Sequence, residues 1–84
     1  MYKLKLSVKA KAQLKKISKV YYQEAISTAL LDIKEDPFVG KQLTRELTGR
    51  FSYKVGMYRI IYKVKKKDKI VYIITAGHRS TVYQ

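Results

Sequence analysis

The dipeptide Gly56-Met57, between two runs of alternating apolar and polar residues, constrains the fold more than any other feature of this chain. The runs cover residues 51–55 and 58–64, and both are rich in β-branched and aromatic side chains. A two-residue loop with glycine first favours a type II′ hairpin turn. The sequence therefore predicts an antiparallel hairpin that pairs Val55 with Tyr58, Lys54 with Arg59, Tyr53 with Ile60 and Phe51 with Tyr62.

This register sorts the hairpin side chains onto two faces of the predicted sheet. One face is apolar and aromatic, suited to cover by helices, and carries Phe51, Tyr53, Val55, Tyr58, Ile60 and Tyr62. The other face is mostly polar or basic and carries Arg50, Ser52, Lys54, Arg59, Ile61 and Lys63. Like charges directly opposite each other destabilise a sheet by about 0.2–1 kcal/mol, so the predicted Lys54–Arg59 pair brings no folding benefit.

A second turn, at residues 66–69, predicts one more strand near residues 69–76, after strands near 50–55 and 58–65. It would pair Lys65 with Ile70 and Arg59 with Ala76. His78 would then project to the same face as Arg59, with Arg79 beside it. Two hairpin registers thus predict that Lys54, Arg59 and His78 meet at one end of one face, unless the first loop has three residues.

The first half of the chain predicts one strand and two helices. Residues 2–8 alternate as a half-buried strand, and Ser7 is a candidate cap for a first helix. A second helix is expected from near Ser18 to Pro37. The apolar stripes that support these helices are Ala10, Leu14, Ile17 and Tyr21, then Tyr22, Ile26, Ala29, Leu30 and Ile33.

The element order β-α-α-β-β-β predicts an α+β fold, with an N-terminal helical hairpin packed on a mostly antiparallel four-stranded sheet. Eighty-four residues suffice for one such domain, spanning residues 1–84. No apolar run approaches the roughly 20 residues that span a bilayer, and no signal peptide is apparent. With no cysteine in the chain, we expect a cytoplasmic protein with no membrane partner.

Charge is the strong compositional signal, because 19 lysine and arginine residues stand against 6 acidic ones, giving a net charge of +13. Such a surplus predicts a polyanionic partner: DNA, RNA or an acidic protein. One histidine, no cysteine and six scattered acids leave no metal-ligand cluster. No phosphate-loop or dinucleotide motif appears either, so neither a metal nor a small-molecule cofactor is expected.

The cationic and phenolic groups suit metal-independent RNA cleavage, in which the ribose 2′-hydroxyl attacks the phosphodiester. Arg59 and Arg79 would neutralise the phosphoryl oxygens, and Lys54 would add charge or assist proton transfer. His78 is the natural general acid or base, and Tyr83 could donate a proton, orient the 2′-hydroxyl or stack on a base. We expect these five side chains to be catalytic and a further three to bind RNA: Arg50, Lys63 and Lys65.

Each assignment has a simpler alternative. Lys54 and Arg59 could form a solvated basic face that binds RNA or protein without chemistry. His78 could be a surface histidine at a strand end, and Tyr83 could be a C-terminal packing residue.

Four segments together resemble the RelE branch of the RelE/ParE toxin superfamily, over essentially the whole chain. They are Leu47-x-Gly49, Tyr53-Lys-Val-Gly-x-Tyr58-Arg-Ile-Ile-Tyr62, Ala76-Gly-His-Arg79 and Val82-Tyr83. The resemblance implies a type II toxin that cleaves mRNA in the ribosomal decoding site and is neutralised by a small, acidic cognate antitoxin. By this match, Lys54, Arg59, Arg79 and Tyr83 take family positions, and His78 falls where members have lysine or histidine.

Two other functions fit the same architecture, because fold does not fix function. One is a ParE-like toxin that inhibits DNA gyrase without chemistry of its own. The other is a catalytically inactive module that binds RNA or antitoxin. The combination of Arg59, His78, Arg79 and Tyr83 favours the nuclease, since a pure gyrase binder would not need it.

Overall fold

The computed structural model describes residues 2–44 and 49–78. Its elements in chain order are β1 (Lys3–Leu6), α1 (Val8–Lys15), α2 (Val20–Glu35), β2 (Lys41–Gln42), β3 (Arg50–Val55), β4 (Tyr58–Lys65) and β5 (Ile70–His78). The strands form one sheet in the order β1-β5-β4-β3-β2. Among the strands that the structure describes only the β1–β5 pair is parallel, so the predicted α+β class with a mostly antiparallel sheet is confirmed.

The described residues form a sheet of five strands, whereas the sequence predicted four. The extra strand, β2, is two residues long and pairs with Ser52 and Phe51 of β3. It lies within residues 38–49, a segment that contains Gly40 and Gly49 and for which the sequence predicts a connection rather than a strand. Two residues are too few for an alternating pattern, so no periodic signal marks them.

The helix ends follow the predicted signals closely. Ser7 caps α1, since its Oγ accepts a hydrogen bond from the backbone N–H of Ala10 at 3.0 Å. Helix α2 begins at Val20 and ends at Glu35, two residues before Pro37. The predicted stripe of α2 is confirmed, because Ile26, Ala29 and Ile33 are buried there.

The predicted stripe of the first helix is wrong at Tyr21, which belongs to α2 and is 59% exposed. The reason is the break between the helices. Residues 16–19 leave the helical path, so the helical phase that relates Ala10 and Leu14 does not extend to Tyr21.

The helices cover the apolar face of the β3–β4 hairpin, as the register predicted. The core cluster joins Phe51, Ile60 and Tyr62 from this hairpin to buried residues of both helices. The Tyr22 and Tyr58 rings meet edge to face at 4.9 Å, and the Tyr53 hydroxyl donates to Oδ2 of Asp32 at 3.2 Å.

Tyr62 ties the end of α2 to the sheet. Its hydroxyl donates to the carbonyl of Pro37 at 2.8 Å and accepts from the N–H of Gly40 at 3.0 Å. Burial raises the pKa of the Tyr62 phenol above its ordinary value. The loop between α2 and β2 is therefore held by a neutral, fully enclosed phenol.

A β-bulge interrupts the pairing of β4 with β5. Lys65 pairs with Ile70 as predicted, but Tyr62 pairs with Ile73 and Ile61 with Thr75, which leaves Ile74 as the extra residue. The Oγ of Ser7 donates to the carbonyl of Ile74 at 2.6 Å and so holds the bulged residue. Beyond this point the predicted register is wrong by one residue: Arg59 pairs with Gly77, not with Ala76.

Candidate nucleic-acid interface

The sheet face turned away from the helices is lined with cations. Residues directly opposite each other in neighbouring strands share a face, so the observed registers assign its members. We call this surface the cationic face; its charged residues are Lys3, Lys5, Lys41, Arg50, Lys54, Arg59, Lys63 and Lys65. None of the described strand residues is acidic, whereas Glu24, Asp32 and Glu35 lie on α2. The distribution of charge therefore favours a polyanion on this face.

Lys54 and Arg59 lie directly opposite each other at one end of the cationic face, as predicted. Both adjoin the turn at Gly56, whose positive φ of 58° suits glycine. Lys54 is exposed, whereas Arg59 is half-buried and its Nε is enclosed by protein. The burial restricts the Arg59 side chain, while Lys54 can adapt to a ligand.

On its other side Arg59 faces Gly77 of β5, which has no side chain. The β5 position directly opposite Arg59 thus contributes backbone and no side chain. Guanidinium groups bind phosphate oxygens in a bidentate manner, and an ammonium group adds a point charge. The arrangement can therefore bind a phosphate group at the turn end of the cationic face.

His78 does not lie beside Arg59, so this part of the sequence prediction is wrong. It pairs with Tyr58, and the two rings are 6.0 Å apart in an edge-to-face arrangement. Its side chain is exposed, on the side of the sheet that the helices cover. The bulge at Ile74 is the cause, because one additional residue moves every later side chain to the opposite face.

The three residues predicted to bind RNA all lie on the cationic face. Arg50 is opposite Lys63, and the Nζ of Lys65 is 6.0 Å from the centre of the Tyr72 ring. The structure thus brings together Arg50, Lys54, Arg59, Lys63 and Lys65. Arg79 and Tyr83, the other two predicted catalytic residues, lie outside the described residues.

Sequence reasoning missed three cations of this face: Lys3, Lys5 and Lys41. Lys3 and Lys5 alternate with Leu4 and Leu6, so their shared face was visible in the sequence. What was not visible was the parallel pairing of β1 with β5, which aligns that face with the rest of the sheet. Lys41 belongs to the two-residue strand that carried no signal.

Within residues 2–44 and 49–78, no three histidine, cysteine or acidic side chains gather closely enough to hold a metal ion. No helix in the same residues is both long and apolar enough to cross a bilayer.

Comparisons with known proteins agree over nearly the full length of the chain. The sequence profile of the ParE toxin of the type II toxin–antitoxin system parDE matches residues 4–83. Toxin RelG of Mycobacterium tuberculosis is 31% identical over 84 residues, which cover 99% of this chain and 97% of that protein.

Solved structures give the same picture. The toxin–antitoxin complex RelBE2 from Mycobacterium tuberculosis contains a chain of 32% identity with a TM-score of 0.81, and the match covers 93% of this chain and 98% of that one. The isolated E. coli RelE toxin shares 24% identity with a TM-score of 0.80, over 99% of this chain and 92% of its own. The second match shows a common fold, and the first adds sequence similarity to it.

Proposed function

This chain belongs to the ParE toxin family of type II toxin–antitoxin systems, and we propose that it is a ribosome-dependent endoribonuclease that cleaves mRNA and so inhibits translation. The observation that carries the proposal is the Lys54–Arg59 pair at the turn end of a sheet face without described acidic residues. A like-charged pair opposes folding, and a bound phosphate would remove that repulsion.

In the proposed reaction the ribose 2′-oxygen attacks the adjacent phosphorus atom and the bond to the 5′-oxygen breaks. The products are a 2′,3′-cyclic phosphate and a free 5′-hydroxyl, with the 2′-proton passing to a base and another proton reaching the leaving oxygen. Arg59 and Lys54 would stabilise the negative charge that grows on the phosphoryl oxygens. Arg79 and Tyr83 keep the roles expected for them from sequence, as additional cation and proton donor.

We assign His78 no proton transfer in this reaction, because its ring lies on the helix-covered side of the sheet. Arg59 and Tyr58 are adjacent residues of β4, and their side chains alternate across the sheet. A group that contacts Tyr58 is therefore separated from the phosphate position by the sheet itself.

The proposed partners are the ribosome with its mRNA and a cognate acidic antitoxin. Two of the similar solved structures are toxin–antitoxin complexes, RelBE2 of Mycobacterium tuberculosis and the intact RelBE of E. coli. An acidic antitoxin over the cationic face would both neutralise the net charge of +13 and block access to Lys54 and Arg59.

The test is primer extension on mRNA in a purified translation system, with and without the protein. We expect cuts that disappear with Arg59→Ala and weaken at least tenfold with Lys54→Ala. The matched control is Lys11→Ala, an exposed lysine of α1 outside the cationic face, which should cut like the parent. Equal cutting by all three variants would overturn the role of the Lys54–Arg59 pair.

Inhibition of DNA gyrase is the second candidate, favoured by the match of residues 4–83 to the ParE toxin profile. A supercoiling assay with purified gyrase separates the two. Intact mRNA together with stabilised gyrase–DNA breaks would replace the nuclease proposal with this one.

A further inference from the structure

A cleft on the helix-covered side of the molecule is not used by the proposed reaction. It consists of two adjoining hollows of about 290 Å³ each, which share Lys16, Tyr58 and His78. Lys19 and Tyr22 line one hollow, and Gln13 lines the other. We call the whole the α1-end cleft, because it opens where α1 ends and the chain turns into α2.

One wall of the cleft is aromatic. Tyr22 meets Tyr58 edge to face at 4.9 Å, and Tyr58 meets His78 edge to face at 6.0 Å. The three rings thus form one continuous wall, anchored through Tyr22 and Tyr58 to the hydrophobic core. Aromatic side chains held in this way are the usual platforms on which proteins stack unpaired bases.

The mouth of the cleft is basic. Lys16 and Lys19 are exposed on the segment that joins the two helices, and none of the described residues that line either hollow is acidic. Because a lysine side chain is flexible and its ammonium group is a point charge, an exposed lysine on this connection can bind a phosphate in more than one geometry. A basic rim with an aromatic wall suits a ligand that carries a flat ring and an anion together.

We propose that the α1-end cleft binds one nucleotide of a single-stranded RNA, with the base against the aromatic wall and the phosphate at Lys16 and Lys19. The hollows are at the small end of the range for ligand pockets, which suits one nucleotide better than a folded partner. Their aromatic wall distinguishes the site from a simple attraction for acidic peptides.

The cleft also lies in the right place for a strand that reaches the cationic face. Tyr58 faces the cleft and Arg59, the next residue of β4, belongs to the cationic face. An RNA strand that passes around the Gly56-Met57 turn could contact both. That the bound nucleotide belongs to an mRNA strand on its way to the cationic face rests on the proposed function, whereas binding in the cleft can be measured without any cleavage.

His78 offers a specific probe, because it is the only histidine of the chain and its ring protons give unambiguous NMR signals. The protein is titrated with a short single-stranded RNA that carries 2′-O-methyl groups and so cannot be cut. We expect a saturable shift of the His78 signals. Ribose 5-phosphate, which lacks a base, should give a much smaller shift at the same concentration.

Two matched double variants test the role of charge. K16Q/K19Q should weaken binding of this RNA about tenfold or more, since each lost charge-assisted contact is substantial. K9Q/K11Q removes the same charge from exposed positions of α1 away from the cleft, and should bind within about twofold of the parent. Equal binding by both double variants would overturn the inference, and so would the absence of a saturable His78 shift.

The outcomes separate this inference from the proposed function. If the His78 signals shift saturably with RNA but the protein leaves mRNA intact, the inference about the cleft is supported and the nuclease proposal is contradicted. If cleavage depends on Arg59 but K16Q/K19Q binds RNA as well as the parent does, the nuclease proposal is supported and the inference about the cleft is contradicted.

Discussion

The two faces of the sheet are built from the same strands, but one forms the hydrophobic core and the other carries the cations. On the helix-covered face, Ile60, Tyr62, Val71 and Ile73 are each fully excluded from solvent. On the cationic face, Lys54 stands against Arg59, an arrangement that opposes folding. The strands β3 and β4 carry core side chains on one face and cations on the other, although Ser52 and Ile61 of the cationic face are also buried. Substitutions at Ile60 and at Lys54 should therefore have opposite consequences for stability.

The largest effect on stability is expected from Ile60→Ala, at the centre of the helix-covered face. Removing a fully buried isoleucine side chain costs about 2–5 kcal/mol of unfolding free energy, since a cavity remains. Urea denaturation followed by circular dichroism measures it. Met57→Ala, at a position that is 47% exposed in the neighbouring turn, should change stability by less than about 0.5 kcal/mol.

Salt should weaken RNA binding by the cationic face but increase the stability of the folded protein. RNA binding through about six phosphate contacts should weaken at least a hundredfold between about 50 and 200 mM salt, because condensed counterions are released on binding. Over the same range the free energy of unfolding should rise, because salt screens the self-repulsion of a protein of net charge +13. Filter binding and urea denaturation measure the two trends, and a flat binding curve would count against RNA contact through the cationic face.

Tyr62→Phe tests whether the helix-covered face depends on polar anchoring as well as apolar burial. The variant keeps the ring but leaves the Gly40 N–H without its acceptor and the Pro37 carbonyl without its donor. We expect a loss of about 1–3 kcal/mol in thermal or urea unfolding. No measurable loss would show that water replaces the phenol at no cost.

Alkaline pH should destabilise the parent protein through the same phenol. The pKa of Tyr62 is raised by burial, so above about pH 10 the unfolded chain loses this proton while the folded chain retains it. The folded state then binds more protons, and stability falls as pH rises from about 10 through the folded-state pKa. Unfolding free energies measured from pH 8 upwards should fall less steeply for Tyr62→Phe than for the parent.

The smallest expected effect is a gain. Lys54→Gln removes the like charge opposite Arg59 and should stabilise the fold by about 0.2–1 kcal/mol, while weakening the proposed mRNA cleavage. Lys11→Gln removes one charge from the surface of α1 and controls for the general relief of repulsion. A stability change no larger than that of the control would mean that the Lys54–Arg59 pair is not under strain.

The sequence predicted well wherever a short local signal decides the structure. The Gly56-Met57 turn fixed every pair from Val55–Tyr58 to Phe51–Tyr62, and Ser7 marked the start of α1. Alternation then assigned the helix-covered face and most of the cationic face. These features depend on residues only a few positions apart, so their pattern can be read directly from a single sequence.

The errors arose where distant segments decide. The residue at the bulge, Ile74, accepts a hydrogen bond from Ser7, 67 residues earlier in the chain, and no pattern within residues 69–78 indicates the bulge. That one residue moved His78 from the cationic face to the α1-end cleft. The roles of Lys54, Arg59, Arg79 and Tyr83 in catalysis stay predictions, and placing their side chains around a substrate depends on more than the sheet register.

The parallel pairing of β1 with β5 has a consequence for how the chain folds during its synthesis. The first strand has its only described neighbour in the last one, so it must wait until residues 70–73 have been made before it can join the sheet. Contacts between such distant segments form slowly, because a long loop must close first. A nascent chain therefore cannot complete this sheet until nearly all of its described residues have been made.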